Sequence, residues 1–397
     1  MDKASQLGII ALVPDDWGGI VTLRHQVLQR LAQYYKVVWV EPALNWREFL
    51  KPSGPRFLAP DRWFEPSPSL EVLATGCLHP NFYRPGWLSV ATLRSRLASA
   101  RRRLLGRGAT RIALYIWRDQ FAGALDAVAH DFSCYHIDDE YSFSDKNLPN
   151  SPREVSLLQR VDQVIVHSPA LFGKKGGINS NTSLIPNGVD FPLFSTRQPE
   201  PADIASIPHP RVGYAGVIKR QLDLDLLLRL AHERPQWSFV LVGPVTNVRG
   251  KEGQMEALRQ SPNVHFLGGK PVQDLAGYVQ HFDVGLMCYE VNDYTRYIYP
   301  LKLHEYLAAG LPTISSSIDV LRGFEHVVKI ARSDAEWLAA IEAGLAEGGR
   351  DGGAIRTRQA VARANDWDVL VEQIARLFEP EAKLAPASAR SSQATAA

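Results

Sequence analysis

The sequence predicts an α/β protein made of two Rossmann-like parallel-sheet domains facing each other across a cleft. Short β-rich apolar runs alternate with helical patterns along most of the chain, which is the signature of βα units. The alternation stops in a stretch carrying Pro192, Pro199, Pro201, Pro208 and Pro210, and then restarts. At 397 residues the chain also exceeds what one hydrophobic core usually organises.

In the first half the apolar runs 7–13, 36–40, 111–117, 132–137, 164–167 and 182–185 read as strands, and 20–34, 120–130 and 153–161 as helices. They define an N-terminal domain over 1–195, followed by a linker over 196–210. In the second half, strands are expected at 211–215, 238–242, 264–267, 284–288 and 313–315, with helices at 222–233, 251–260, 272–282 and 300–309. These define a C-terminal domain over 211–365. Two further periodic stretches, 334–347 and 367–378, read as closing helices, the second lying within 366–379. The Ala/Ser/Pro-rich tail, 380–397, has little apolar mass to bury and reads as disordered.

Composition narrows the function classes. The 45% hydrophobic and 22% charged content is that of an ordinary globular protein. Cys77, Cys134 and Cys288 are scattered without metal-ligand spacing, so neither zinc nor a structural disulfide is expected, which suits a reducing cytoplasm. The apolar run 7–13 is too short for a signal peptide or a membrane span, so a cytoplasmic location is expected. A net charge of +2 by itself argues neither for nor against nucleic acid, and no nucleic-acid partner is expected. The charge is unevenly placed, however. No acidic residue lies between Glu71 and Asp119, while Arg94, Arg96, Arg101, Arg102, Arg103, Arg107 and Arg111 crowd beside Trp87, Leu88, Val90 and Leu93. Basic and apolar residues segregate at helical spacing, as on a helix lying against an anionic membrane; a solvated basic face explains the same pattern.

The chemistry concentrates in Pro300-Leu301-Lys302-Leu303-His304-Glu305-Tyr306-Leu307-Ala308-Ala309-Gly310. Pro300 suits the first helical position because its missing N–H has no intrahelical partner there, and Gly310 suits the C-terminal cap. The free N–H groups and the positive end of the dipole make an anion site, to which Lys302 adds a full charge for a diphosphate. Glu305 shares the face of Lys302, and its carboxylate can accept from both hydroxyls of a ribose. A surface ion pair on an ordinary helix would look the same. The helix follows the strand at 284–288, and ligands of α/β sheets sit beyond strand carboxyl ends, which favours a site for a nucleotide diphosphate-sugar.

This run resembles the donor-site helix of GT-B glycosyltransferases of the large family 4 type. Arg211-Val212-Gly213-Tyr214-Ala215-Gly216, Val240-Leu241-Val242-Gly243-Pro244, Val264-His265-Phe266-Leu267-Gly268 and Leu184-Ile185-Pro186-Asn187-Gly188 are similar to stretches of the same family. The resemblance implies a GT-B architecture in which Glu305 holds the ribose, Lys302 and Thr295 the diphosphate, and the turns at Gly243 and Gly268 the base. UDP is the nucleotide expected on that footing. One departure stands out: the family commonly carries a second glutamate eight positions before the ribose-binding one, and Tyr297 occupies that place here. Retention or inversion is therefore left open.

An inverting transfer needs a base for the acceptor hydroxyl, and Asp138 and Asp139 follow the strand at 132–137. The segment resembles the region bearing the catalytic aspartate of xanthan-type glucuronosyltransferases, with the match on Asp139; an acidic turn cap is the plainer alternative. Gly18 and Gly19 sit between the first strand and the first helix, where a ligand can approach the backbone, with Arg24 and His25 on the helix behind them. Lys219 and Arg220 occupy the corresponding turn of the second domain and add charge for a diphosphate, or are merely solvated. No Asp-x-Asp pair is read at the second-domain site, so neither a metal nor a cofactor other than the nucleotide-sugar co-substrate is expected. The expected acceptor is a glycan or lipid-linked hydroxyl in cell-envelope or exopolysaccharide synthesis.

Three other readings compete. A dinucleotide oxidoreductase would use Glu41 at the end of the second strand, but Gly18-Gly19 is not Gly-x-Gly-x-x-Gly. A nucleotide-sugar epimerase shares the architecture and needs no acceptor. A catalytically inactive scaffold would account for Tyr297.

Overall fold

Leu7–Leu12 is buried along its whole length, as expected of a parallel strand covered on both faces, which reads as a continuous apolar run rather than an alternating one. In the computed structural model, which describes residues 6–43, 60–76, 86–141, 148–347 and 352–379, the chain forms two units. One comprises Met1–Asp139, Pro149–Ile185 and Asp368–Ala397, the other Glu140–Leu148 and Pro186–Trp367. In chain order the first contains β1 (Leu7–Leu12), α1 (Leu23–Leu31), β2 (Lys36–Val40), β3 (Arg62–Ser67), β4 (Leu70–Ala74), α2 (Gly86–Gly106), β5 (Arg111–Ile116), α3 (Ala124–Ala127), β6 (Phe132–Ile137), α4 (Pro152–Arg160), β7 (Gln163–Val166), α5 (Pro169–Lys175) and β8 (Thr182–Leu184). Its eight strands run in the order β3-β4-β2-β1-β5-β6-β7-β8. All pairings are parallel except that of β3 with β4.

β3 and β4 are absent from the sequence expectations, and Glu71 explains why for β4. Its charge breaks an otherwise apolar run, yet the residue is buried, and its carboxylate pairs with Arg103 at 2.6 Å and Arg107 at 2.9 Å. The helix expected over 120–130 divides at Gly123 into a single tight turn, Asp119–Phe121, and the four-residue α3.

The second unit holds α6 (Phe191–Ser195), α7 (Ala202–Ala205), β9 (Arg211–Ala215), α8 (Leu224–Glu233), β10 (Ser238–Val242), α9 (Glu252–Gln260), β11 (Val264–Gly268), α10 (Val272–Val279), β12 (Val284–Met287), α11 (Leu301–Ala308), β13 (Thr313–Ser316), β14 (Lys329–Ala331), α12 (Asp334–Glu347) and α13 (Gly352–Ala364). The sheet order is β11-β10-β9-β12-β13-β14, parallel throughout. Crossing from β9 to β12 reverses the strand order and creates a switch point at the carboxyl edge, where such sheets bind ligands.

Two boundaries differ from those expected. The chain leaves the first unit after Ile185, and the stretch expected as a linker, 196–210, is part of the second unit. Phe191, Phe194, Ile204 and Ile207 are buried in its hydrophobic core, so the prolines shape packed turns rather than a spacer. The last helix, α14 (Trp367–Phe378), packs in the first unit: Tyr35 donates its hydroxyl hydrogen to Ala375 O at 2.8 Å, and the Phe378 ring lies 5.1 Å from Tyr115 and 5.3 Å from Phe132. Cys134 and Cys288 are free and buried. Cys77 and the tail 380–397 lie outside the described residues.

The arginine-rich segment is α2 and the turn after it, and much of its charge turns inward. Arg96 is buried, donating to Glu41 O at 2.7 Å and pairing with Asp61 at 3.1 Å. Arg103 and Arg107 hold Glu71, and Arg111 pairs with Glu379 at 3.3 Å. Arg94 and Arg102 stay exposed on α2, as do Trp87 and Val90 near its start, which are 69% and 46% exposed. Among the described residues, no helix is long and apolar enough to cross a membrane.

Candidate functional site

α11 is built from both ends. Pro300 is the N-cap, with φ −67° and ψ 125°, so the helix begins one residue later than its proline suggests. The first N–H groups of the helix keep no intrahelical acceptor. At the other end Gly310 takes φ +74°, and Leu311 N–H donates to Tyr306 O at 2.9 Å, closing the helix as expected. The entry is fixed by Asn187, which donates from Nδ2 to Tyr299 O at 2.8 Å. It is fixed also by the 2.8 Å hydrogen bond between the Tyr299 hydroxyl and His304 Nε2. Burial pushes His304 down to about 3, so it is neutral and structural. Tyr306 ties the helix to the sheet by accepting from Ala215 N–H at 2.8 Å.

Lys302 is buried at the carboxyl edge of β9 and β12. Its Nζ donates to the Tyr289 hydroxyl at 2.7 Å and lies 4.7 Å and 5.2 Å from the ring centres of Tyr214 and Tyr289. Gly216 completes the cage: a Cβ there would stand 3.2 Å from Nζ. The ammonium is thus held in place with partners that carry no negative charge, which suits a group that receives an anion. The Glu305 carboxylate, one turn on, accepts no hydrogen bond from a described residue. Although it keeps some exposure, burial pushes its carboxyl up to about 7, against the opposing charge of Lys302.

Three glycines extend the sheet edge beside these groups. Gly216 N–H donates to Val242 O and Gly243 N–H to Gly268 O, both at 2.8 Å, with φ of +139°, +150° and +71° at Gly216, Gly243 and Gly268. A Cβ on Gly243 would fall 2.0 Å from Gly216 O, whereas Gly268 faces open space. Lys219 and Arg220 are part-exposed in the next turn, which joins the turn after β10 through Ile218 N–H to Pro244 O at 2.9 Å. The structure therefore brings Lys302, Glu305, Gly243, Gly268, Lys219 and Arg220 to one sheet edge.

Thr295 is a correction. It is buried, its hydroxyl donates to Glu290 O at 2.7 Å and accepts from Asn292 N–H at 3.0 Å, and its own N–H goes to Asn292 Oδ1 at 2.9 Å. It shapes the turn instead of presenting a hydroxyl to a phosphate. Asp223, in Asp223-Leu224-Asp225, caps α8 by accepting from Leu226 N–H at 2.8 Å.

In the first unit the expected residues also meet at the carboxyl edge, but three are committed elsewhere: Asp138, His25 and Arg24, the last corrected from its expected place at a ligand because it is buried and paired with two carboxylates. The Asp138 side chain is 4% exposed, pairs with Arg24, and lies 3.6 Å from Arg118. Arg24 in turn binds Asp15 at 2.6 Å and lies 5.6 Å from the Trp117 ring centre. A carboxylate buried between guanidiniums is a positioning group rather than a proton acceptor, so Asp138 is corrected from its expected role. Asp139, the next residue, is only partly buried. His25 is likewise corrected: its Nδ1 accepts from Thr22 N–H at 3.1 Å in a capping box, and burial lowers its pKa. Gly18 and Gly19 form an exposed turn closed by Gly19 N–H to Asp16 O at 3.0 Å. Glu41 accepts from Trp17 N–H at 3.0 Å and Thr75 N–H at 2.9 Å, so the carboxylate that an oxidoreductase would place on a ribose anchors a loop here.

Tyr289, Tyr214 and Asn187 were not anticipated as site residues. Tyr214 and Asn187 stand within the quoted stretches, but their contacts to Lys302 and Tyr299 span long sequence separations that periodicity does not encode.

Residues 209–348 match the family described as Glycosyl transferases group 1. Over 233 residues the chain is 29% identical to TuaH of Bacillus subtilis, described as a candidate teichuronic acid biosynthesis glycosyltransferase; the match covers 56% of this chain and 57% of the relative. The chain thus spans little more than half the length of that curated relative. Among solved structures, Anabaena HepE in complex with UDP is 18% identical, covers 94% of this chain and all of its own, and superposes with a TM-score of 0.67. Trehalose-6-phosphate synthase OtsA is 13% identical, covering 96% of this chain and all of its own, with a TM-score of 0.66.

Proposed function

Starting from a GT-B fold whose second unit carries a group 1 glycosyl transferase domain, we propose that the chain is a glycosyltransferase using a nucleotide diphosphate-sugar, with UDP as the nucleotide. The acceptor is a hydroxyl of a glycan or lipid-linked sugar in cell-envelope or exopolysaccharide synthesis. The observation that carries this reading is a caged Lys302 and a desolvated Glu305 carboxylate on one face of α11 at the carboxyl edge of a parallel sheet. The lysine and the free end of α11 stabilise the leaving diphosphate. The ionised glutamate accepts from the ribose hydroxyls. The acceptor oxygen attacks the anomeric carbon, the bond to the diphosphate breaks, and the hydroxyl proton passes to a base, for which Asp139 is the candidate. The description of TuaH supports the envelope setting, and the UDP bound to HepE supports the choice of nucleotide.

Thermal stabilisation by UDP, GDP, dTDP, CMP and NAD tests the donor site. UDP at about a hundredfold excess over its Kd stabilises the wild type by about 2–3 kcal/mol. Glu305→Ala loses that stabilisation, while Asp139→Asn keeps it and loses sugar transfer. Stabilisation by NAD alone, or by no nucleotide, refutes the proposal.

A further inference from the structure

The second unit has a further cleft, lined by none of Lys302, Glu305, Gly243, Gly268, Lys219 and Arg220. It lies at the carboxyl ends of β12 and β13, has a volume of about 430 Å³, and is lined by Asn292, Asp293, Arg296, Ser317, Asp319 and Arg322 together with Val291, Thr295 and Ile318. Asp319 is its organising group. One carboxylate oxygen accepts from Arg296 Nε at 3.0 Å and the other forms an ion pair with Arg322 Nη2 at 3.1 Å. Each guanidinium has five N–H donors, so most of those on Arg296 and Arg322 are left for a ligand. The two side chains are 54% and 77% exposed. Asn292 is fixed by its bonds to Thr295, so the cleft wall is preformed on that side.

Position says which part of a donor this cleft meets. Tyr289, whose hydroxyl accepts from Lys302, is followed two residues later by Val291 on the cleft wall. Two residues of chain span at most about 7 Å. The glycine turns lie at the ends of β9, β10 and β11, Lys302 lies at β9 and β12, and the cleft follows at β12 and β13, so base, diphosphate and sugar find places in that order along one edge. Chemistry says which kind of sugar. The two arginines and two aspartates cancel in formal charge, so the cleft offers alternating donors and acceptors without a net attraction for a carboxylate or phosphate. Vicinal hydroxyls of a neutral sugar match that pattern.

We propose that this cleft holds the sugar of the donor, an uncharged hexose-type ring, and that Asp319, braced by Arg296 and Arg322, is the residue that selects it. The proposal rests on the glycosyltransferase reading and goes on to name the donor's sugar class. Calorimetric titration of UDP, UDP-glucose, UDP-galactose, UDP-N-acetylglucosamine and UDP-glucuronate separates the two. The wild type is expected to prefer one of the neutral sugars. In Asp319→Asn and Arg322→Gln the affinity for that sugar nucleotide, relative to UDP, falls about tenfold, while UDP itself binds as before. Intact UDP binding with unchanged discrimination in both variants, or a preference for UDP-glucuronate, overturns this inference and leaves the donor site standing. A wild type that binds no UDP overturns the donor-site reading and this one with it.

Discussion

Glu305 combines two demands that oppose each other. Binding a ribose calls for an ionised carboxylate, and the site that shapes it is too desolvated to hold one comfortably. Its folded pKa of about 7 stands above the ordinary value of 4.5. Between those values the folded chain keeps a proton that the unfolded chain has released, so the stability this group contributes is present below about pH 4.5 and is lost as pH rises through 7. Glu305→Gln removes that loss. Relative to the wild type, the variant gains roughly 1–3 kcal/mol at pH 8 and little at pH 4.5. Nucleotide affinity of the wild type rises through the same window, and the glutamine variant shows no such rise. Denaturation at the two pH values checks the first point and nucleotide titration the second; parallel stability curves for the two proteins would refute the account. Lys302 and Glu305 were legible in the sequence because a three-residue spacing fixes a shared helix face. Asp138 and His25 were misread because residue type reports what a side chain can do, whereas its partners decide what is left for it to do. Arg24 occupies the first and Thr22 the second.

At the level of elements, the punctuation of α11 could be read because caps act within a few residues. The glycine edge could be read only in part. Gly243 and Gly268 look alike in sequence, each ending a strand, but they stand in different surroundings. Gly243→Ala drives a Cβ into the backbone oxygen of Gly216, so the sheet edge must shift; Gly268→Ala meets only the strain of φ +71°. The second substitution is expected to cost about 1 kcal/mol and to preserve nucleotide binding. The first costs several times as much and abolishes binding, because the displaced edge carries Lys302's neighbour. Melting temperatures with and without UDP distinguish them, and equal effects would refute the distinction. β4 shows the converse failure of sequence reading. Glu71 disguises a buried strand as a loop because its partners, Arg103 and Arg107, are supplied by another element.

For the whole molecule, charge placement matters more than net charge. The arginine segment is basic in sequence, yet Arg96, Arg103, Arg107 and Arg111 are held by carboxylates and Arg101 is half-buried, while Arg94 and Arg102 stay exposed on the helix that carries the exposed Trp87 and Val90 near its start. If this face meets an anionic membrane, sedimentation with phosphatidylglycerol liposomes should weaken with salt. It should be reduced by Trp87→Ser combined with Arg94→Ala and Arg102→Ala, with no loss of stability; undiminished sedimentation of that variant would exclude the face. Arg96→Ala, by contrast, removes the guanidinium that donates to Asp61 and to the carbonyl oxygens of Glu41 and Leu73, and is expected to lower the melting temperature.

The sequence by itself determined two parallel-sheet units, most of their strands, and the face that joins Lys302 to Glu305. Each of these is written in periodicities, caps and spacings that act over a few residues. Only the tertiary structure decided that 196–210 belongs to the core of the second unit and that α14 packs in the first. It alone decided that Tyr289 and Tyr214 cage the lysine, and which acids and bases are already paired. Those outcomes depend on burial and on partners far apart in the chain, and a polar side chain's availability is settled only once folding has brought its neighbours to it.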